Sequence, residues 1–431
     1  MAPFVVVHSY YREYQCRICD RKEIRRGTMA IGQKLQSLFT KETDPYTGIP
    51  FTRLTEPDYV SHHMYFYNRM TTGDGKKLLM CQERENGRQL YLLDLETGEM
   101  EQLTEGENIA DYDGLISPDD KELFFAQDGI YYRMDLATKK KREIYHSPDG
   151  WKGGALGMSD DFRYMAIIET RQDTLPHMEN SKGWNSFAAT CLAKPLCRIV
   201  YIDVEAGSSH VVLEDHCWMG HPQIRPGDPE TILFCHEGPY DLIDARLWLV
   251  QRDGSRLRCC REQPNNLILT HEFWLPSGEK LAFVYRETTG EKLENIRMID
   301  PETMEEEIMM PCSPYAHFIC DKKYRYMVGD SQGSDVPIHL LTEEDRRKAK
   351  EKLSNDFLYL VDVAKRKEYQ LCYHGSSWSP NYGNSQDSHP HPCFSEDNER
   401  IIFTSDKSGS PCVYMIDLKD VPFVKDAGAK I

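Results

Sequence analysis

The sequence predicts an all-β chain folded as a seven-bladed β-propeller, and three observations predict it. A strand that ends in Asp and enters a turn recurs seven times, and a polar turn followed by an apolar strand recurs seven times in register with it. The segment around residue 50 also repeats an outer-strand pattern that the last copy lacks. A chain of 431 residues would ordinarily divide into about three domains, unless a repeat holds it in one ring.

Copies of the first signature are Leu90–Asp94, Tyr131–Asp135, Ile199–Asp203, Leu247–Asp253, Ile296–Asp300, Leu358–Asp362 and Val413–Asp417. The second places Gly73–Lys77 before Leu78–Met80, Ser117–Asp120 before Leu123–Phe125, and Ser159–Asp161 before Tyr164–Ile167. It continues with Gly227–Pro229 before Ile232–Phe234, Pro276–Gly278 before Leu281–Phe283, Cys320–Lys322 before Tyr326–Val328, and Ser395–Asp397 before Ile401–Phe403. Gly, Asp and Pro between β-branched and aromatic runs are the hairpin signal. The spacing is about 50 residues per unit, the size of a four-stranded blade. A pair of β-sandwiches would not predict equal counts of both signatures.

Closure of the ring is legible at its ends. Thr47–Thr55 resembles the outer strand Thr97–Thr104, while the copy ending at Asp417 has no clear outer strand of its own. An N-terminal strand is therefore expected to complete the last blade and cover its exposed edge. Thr342–Lys352 (TEEDRRKAKEK) is charged and opens with a capping signal, so a short solvated helix is expected there, inserted in the sixth blade.

The expected domain plan is one catalytic propeller over residues 29–423, with a tail at 424–431 and an extension at 1–28 that is disordered or not native. Met29 is then the natural start. Cys16 and Cys19 form a single C-x-x-C with no second pair at zinc-finger spacing, so no metal site is assigned to them.

Composition limits the function classes. Forty per cent hydrophobic and 11% aromatic residues exclude wholesale disorder. A mean hydropathy of −0.60 and the lack of a long apolar run exclude a membrane-spanning helix. A formal charge of −17 argues against nucleic acid, which needs a basic face to displace counterions. The 14 cysteines are scattered, several within apolar runs, and Met1–Val7 lacks the basic start of a secretion signal. A cytoplasmic location with reduced thiols is expected.

Histidine carries the chemical information. Ten of the 15 lie between His210 and His391, and the densest cluster is Gln386-Asp387-Ser388-His389-Pro390-His391-Pro392. In extended backbone, His-x-His puts both imidazoles on one face, and the flanking prolines favour that backbone. Gln386 can reach the same point with its carbonyl oxygen. The bland alternative is a solvated, turn-rich loop. His221 with Arg225, His236, Arg246, His271 and His317 each adjoin a predicted strand, at spacings that match one loop per blade around one channel mouth. Several converging imidazoles with an Arg point to a metal-assisted acid–base site.

The stretches Trp218–Pro222, Phe234–Pro239, Asp244–Trp248, Thr270–Trp274 and His389–Pro392, together with His62 and Tyr65-Phe66-Tyr67, resemble the oligogalacturonide lyase family. That family comprises cytoplasmic, pectin-degrading polysaccharide lyases built on a seven-bladed propeller. The resemblance implies a manganese ion held by His317, Gln386, His389 and His391, with His271 as the proton-abstracting base and Arg246 as its cationic partner. Substrate contacts are expected from His62, His221, Arg225 and His236. The chain departs from the family pattern in its N-terminal extension, its charged insert and the Ser313–Ala316 spacing before His317.

The implied reaction is β-elimination of a 4-linked uronate, which removes the C5 proton α to a carboxylate and leaves a 4,5-unsaturated product. Its barrier is electrostatic, and a divalent cation, an Arg and a neutral imidazole base suit it. Residue types alone leave zinc, nickel or iron open; manganese is what the resemblance implies. A chain of charge −17 should repel a long polyuronate, so a short oligogalacturonide, drawn to a positive mouth of Arg225, Arg246 and the metal, is the expected substrate. A lyase for another uronic acid and a non-enzymatic TolB-like binding propeller are the alternatives. A prolyl-oligopeptidase propeller would need the Gly-x-Ser-x-Gly of a hydrolase domain, which is lacking. Oligomeric state is not encoded in any pattern here.

Overall fold

The computed structural model describes residues 30–176, 184–289, 293–331, 356–379, 382–383 and 385–424. The expected helix at 342–352 and the extension at 1–28 lie outside these residues, as does most of the expected tail.

The described strands form seven antiparallel sheets, and the chain passes from one to the next around a ring. Innermost strands of blades one to six are Ser61–His63, Leu115–Ile116, Trp151–Met158, Met219–Arg225, Leu267–Trp274 and Tyr315–Cys320; that of blade seven is Cys393–Phe394. Each of blades two to six is completed by the three strands that follow its innermost one.

Turn chemistry explains why the signature repeats. The Asp that ends the third strand folds its carboxylate back onto the next backbone amides. Asp94 accepts from the N–H groups of Glu96 and Thr97, Asp203 from those of Glu205 and Ala206, and Asp300 from those of Glu302 and Thr303. This side-chain turn saves backbone donors from being stranded at a tight reversal. The serines of the second signature act likewise: Ser117 Oγ accepts from Glu122 N–H while donating to Asp119.

The ring closes as the sequence predicts, with more chain than expected. Blade seven takes three strands from the C-terminal end and two, Pro50–Arg53 and Thr40–Thr43, from the N-terminal end. Thr52 faces Met415 and Arg53 faces Tyr414. Farther upstream, Lys34–Gln36 adds a fifth strand to blade one. Ile49 and Phe51 fill the core between blades six and seven with Val328, Leu360, Phe403 and Tyr414.

One element has no counterpart in the sequence reading. A helix, Trp184–Ala193, is inserted between the second and third strands of blade three. The Phe187 ring meets Trp218 edge-on at 4.9 Å. Gly238 must be glycine beneath it, because a Cβ there would meet Cys191 Sγ at 2.4 Å and its φ is 149°. The Ala-Ala pair in Phe187-Ala188-Ala189 was the available helix signal.

Phe51→Ala tests closure. The ring is 5% exposed, lies 6.0 Å from that of Tyr414 and carries the Lys407 ammonium at 3.9 Å. Equilibrium denaturation should show a loss of about 3–5 kcal/mol. An unchanged midpoint would mean that the N-terminal hairpin does not hold the ring shut.

Candidate active site

A cavity of about 840 Å³ opens at one mouth of the channel, lined among others by His221, Arg246, His271, His317, Gln386 and His389. The sequence-predicted residues therefore converge from blades four, five and six and from the loop entering blade seven.

Strand irregularities aim these side chains. Register shifts interrupt the innermost pairings between Gly220 and Gln223, Thr270 and Phe273, and Tyr315 and His317. An extra residue at such a bulge redirects a side chain that a regular strand would bury between blades. His221, His271 and His391 have φ of 51°, 46° and 47°. Non-glycine residues in this region cost about 1–2 kcal/mol each, and such strain gathers where function holds it.

Three imidazoles meet at one point. Each of His317, His389 and His391 offers a ring nitrogen within 4.8 Å of the others. Their ring centroids are 4.2 Å apart for His317 and His391, and 5.1 Å for His317 and His389. His317 donates its Nδ1–H to Asp330 Oδ2 at 2.8 Å, because a carboxylate only accepts. Asp330 also accepts from the backbone N–H groups of His317 and His391, at 2.6 and 3.2 Å. Burial opposes ionisation of Asp330, but His317 and its hydrogen bonds hold it below the usual carboxylate range.

The donor set fits a divalent metal. Both ring nitrogens of His391 and Nδ1 of His389 are buried without a hydrogen-bond partner. Orphaned buried polar atoms are rare, and a carboxylate fixing the proton on a ligating imidazole is the usual outer support of a metal. Burial, then the neighbouring imidazoles, push His389 down to about 3 and His391 well below its ordinary value, so both keep free lone pairs. Gln386 is half-buried on the same cavity wall.

Next to this trio lies His271, its ring 4.1 Å from that of His317. Burial first, then His317 and Arg246, drives its pKa well below the ordinary value. It is neutral at pH 7, and its Nδ1 has no partner. Arg246 is buried; its Nε donates to Glu272 at 2.9 Å and a terminal N–H to Glu237 at 3.5 Å. The partners are thus Glu237 and Glu272. Glu237 also holds His221 Nε2 at 2.8 Å. Burial opposes the charge on Glu237, but Arg246 and His221 hold it well below the usual carboxylate range.

Three expected substrate contacts fall outside the cavity wall. Arg225 ends its innermost strand about 13 Å beyond His221, at 3.3 Å per residue, and pairs there with Glu302 and Asp228. His236 stacks on Trp248 at 4.7 Å, and burial pushes it down to about 4. Side chains alternate, so its neighbour Glu237 faces the cavity instead. His62 lies one layer back, stacked on Tyr112 at 4.1 Å, and Tyr112 in turn meets the His391 ring.

Sequence reasoning missed Asp330, Glu272 and Lys152 as site residues. Asp330 breaks an apolar strand, Tyr326-Met327-Val328-Gly329, and that break was its signal. Glu272 adjoins His271, but its pairing with Arg246 spans two blades and has no local spacing. Lys152 is an exposed cation on the cavity rim, from the innermost strand of blade three.

Comparison with known proteins supports these observations. The sequence profile described as oligogalacturonate lyase matches residues 29–422. The oligogalacturonate lyase of Dickeya dadantii is 36% identical over 395 residues, covering 91% of this chain and 99% of that protein. The oligogalacturonide lyase of Pectobacterium atrosepticum is 35% identical over 396 residues, covering 91% and 99%. A solved oligogalacturonate lyase in complex with manganese superposes with a TM-score of 0.80 at 35% identity, covering 90% of this chain and 98% of that one. The Vibrio parahaemolyticus oligogalacturonate lyase gives 0.80 at 34%, covering 90% and 99%. With its seven blades and its histidine-lined channel mouth, the chain belongs to the oligogalacturonate lyase family.

Proposed function

We propose that the protein cleaves short 4-linked galacturonate oligomers by β-elimination, leaving a 4,5-unsaturated uronate. The observation that carries this reading is a cavity that brings together a neutral His271, a buried Arg246, His317 and His389, with the unpartnered ring nitrogens of His389 and His391 at its edge.

His317, His389 and His391, with Gln386, are the residues that would hold the manganese. When bound, the ion supplies Lewis-acid polarisation of the substrate carboxylate. His271 takes the proton from C5, since a neutral imidazole within reach of an acidified C–H is a competent base near neutral pH. Arg246, always charged and clamped by two carboxylates, presents a fixed dipole to the charge that develops as the proton leaves. Phe66 packs against the rings of His271, His317 and His391 at 6.1, 5.6 and 6.0 Å, keeping water off one side of the cluster.

A preference for di- and trisaccharides is supported by what adjoins the site. A second cavity of about 1360 Å³ shares Asp113, Lys152, Gly154 and Ser385 with the first. Glu85, Glu107, Asp128 and Asp149 line it, so a long polyuronate extending there would meet like charge. The described cysteines are free thiols, and no described helix is long and apolar enough to cross a membrane. The free thiols support work in the reducing cytoplasm.

The direct test is ultraviolet absorbance of the conjugated product on adding digalacturonate, with and without chelator. Full activity in chelated, metal-free protein would remove the metal from the reaction. His389→Ala or His391→Ala should abolish bound manganese and turnover together, with the thermal transition retained because blade packing does not use the ion. Metal content measured by plasma spectrometry decides this, and a fully loaded, inactive variant would contradict it. His271→Ala should keep metal content and substrate affinity but lower kcat by about a hundredfold or more. A normal kcat in that variant would place the base elsewhere.

A further inference from the structure

Elimination needs more than a base. The C4–O4 bond breaks, and the departing sugar oxygen must gain a proton, because an alkoxide is a poor leaving group near neutral pH. Neither His271 nor Arg246 meets this need: one receives a proton, and the other never releases one.

A second hydrogen-bonded chain lines the same cavity. Tyr67 Oη lies 3.4 Å from His221 Nδ1, His221 Nε2 lies 2.8 Å from Glu237 Oε1, and Glu237 Oε2 lies 3.5 Å from an Arg246 N–H. All four residues line the cavity with His271. The His221 ring is 6.2 Å from the His271 ring and 6.1 Å from that of Tyr67, so His221 stands between base and phenol on the wall of one cavity. His221 is held in the left-handed region, φ 51°, at a strand bulge, which fixes the direction of its ring.

We propose that Tyr67 is the catalytic acid that protonates the leaving O4, with His221 and Glu237 as positioning residues that resupply its proton. This rests on the reading of His271 as base. Glu237 is an acceptor, so His221 Nε2 carries hydrogen toward it. When His221 is doubly protonated, its Nδ1–H points at Tyr67 Oη and turns the phenolic hydrogen toward substrate. C5–H breaks first: its proton goes to His271, the electron pair stays at C5, delocalised into the carboxylate, and that pair then becomes the C4=C5 double bond. C4–O4 breaks with its pair on O4, O4 takes the Tyr67 proton, and Tyr67 Oη takes the Nδ1 proton. His221 ends neutral beside Glu237. Afterwards His271 loses a proton to solvent and His221 gains one, so no other reactant is required. Burial foremost, then the nearby acids, raises the phenol well above its ordinary value, so Tyr67 holds its proton until O4 develops charge. His221, Cys235 and Glu237 also bring donor atoms within 4.8 Å, but the Arg246 guanidinium on Glu237 would oppose a cation there.

The test separates the two halves of elimination. Holoenzyme is incubated with digalacturonate in heavy water, and unsaturated product and deuterium at C5 of recovered substrate are measured together. Tyr67→Phe removes one oxygen and leaves the ring packed on Tyr65 and Phe66. It should lower elimination about a hundredfold or more, while C5 exchange continues near the wild-type elimination rate. His221→Asn, which tolerates the positive φ, should shift the same ratio in the same direction. Equal loss of exchange and elimination in Tyr67→Phe, at unchanged metal content and melting temperature, would overturn the proposal; so would elimination at the wild-type rate. His271→Ala should lose both. If it keeps exchange, the base reading fails, while the elimination-to-exchange ratio of Tyr67→Phe still judges the acid.

Discussion

The backbone pairings of Thr52 with Met415 and Arg53 with Tyr414 join the two ends of the chain, and every group in the cavity hangs from the ring they close. His271 sits in blade five, His317 in blade six and His391 just before blade seven, whereas Phe66 and Tyr67 follow the innermost strand of blade one. Phe66 touches three of those imidazoles across the channel. Were the ring to open between blades one and seven, that contact would separate first. Closure entropy rises only with the logarithm of loop length, so the burial of Ile49 and Phe51 can offset it even for a loop of this size. In this fold, closure is a condition of the site as much as of stability.

The innermost strands carry opposite demands. For packing they should be regular, with apolar side chains entering the cores between blades. For chemistry they must turn polar rings into the channel. Bulges at Gly220–Gln223, Thr270–Phe273 and Tyr315–His317 resolve the conflict at the mouth. Asp330 then locks the result, since its two oxygens accept from the His317 ring and from the backbone of both His317 and His391. The strain of His391 is therefore held by a buried carboxylate from blade six, not by its own loop.

What was legible in the sequence follows from the range of each interaction. Blade count was readable because Asp94, Asp203 and Asp300 bond to amides two and three residues on, so the signature is local and repeats. The histidine cluster was readable because each imidazole lies in or just before an innermost strand. Arg225 and His236 misled for the same reason: nearness to a strand says nothing of which end or face meets the cavity. Asp330 and Glu272 act through partners on other strands or blades, and no spacing in a single sequence encodes that. The helix Trp184–Ala193 escaped notice because a short insertion breaks no repeat.

Charge is where sequence and structure differ most in meaning. From residue types, Arg225 and Arg246 make a positive mouth on an acidic protein. In place, Arg225 is spent on Glu302 and Asp228 far along its strand, and the guanidinium of Arg246 is matched by Glu237 and Glu272. Burial keeps His271, His389 and His391 neutral. Among the described residues of the cavity wall, Lys152 on the rim is then the cation not drawn into an ion pair. A site so balanced has little fixed charge with which to attract a carboxylate or stabilise a second negative charge beside it. The nitrogens left unpartnered on His389 and His391 are lone pairs that the site still offers to a cation. A neutral imidazole, unlike a carboxylate, can hold a cation without cancelling it, so a cation bound by such groups would keep its full charge in a site otherwise balanced.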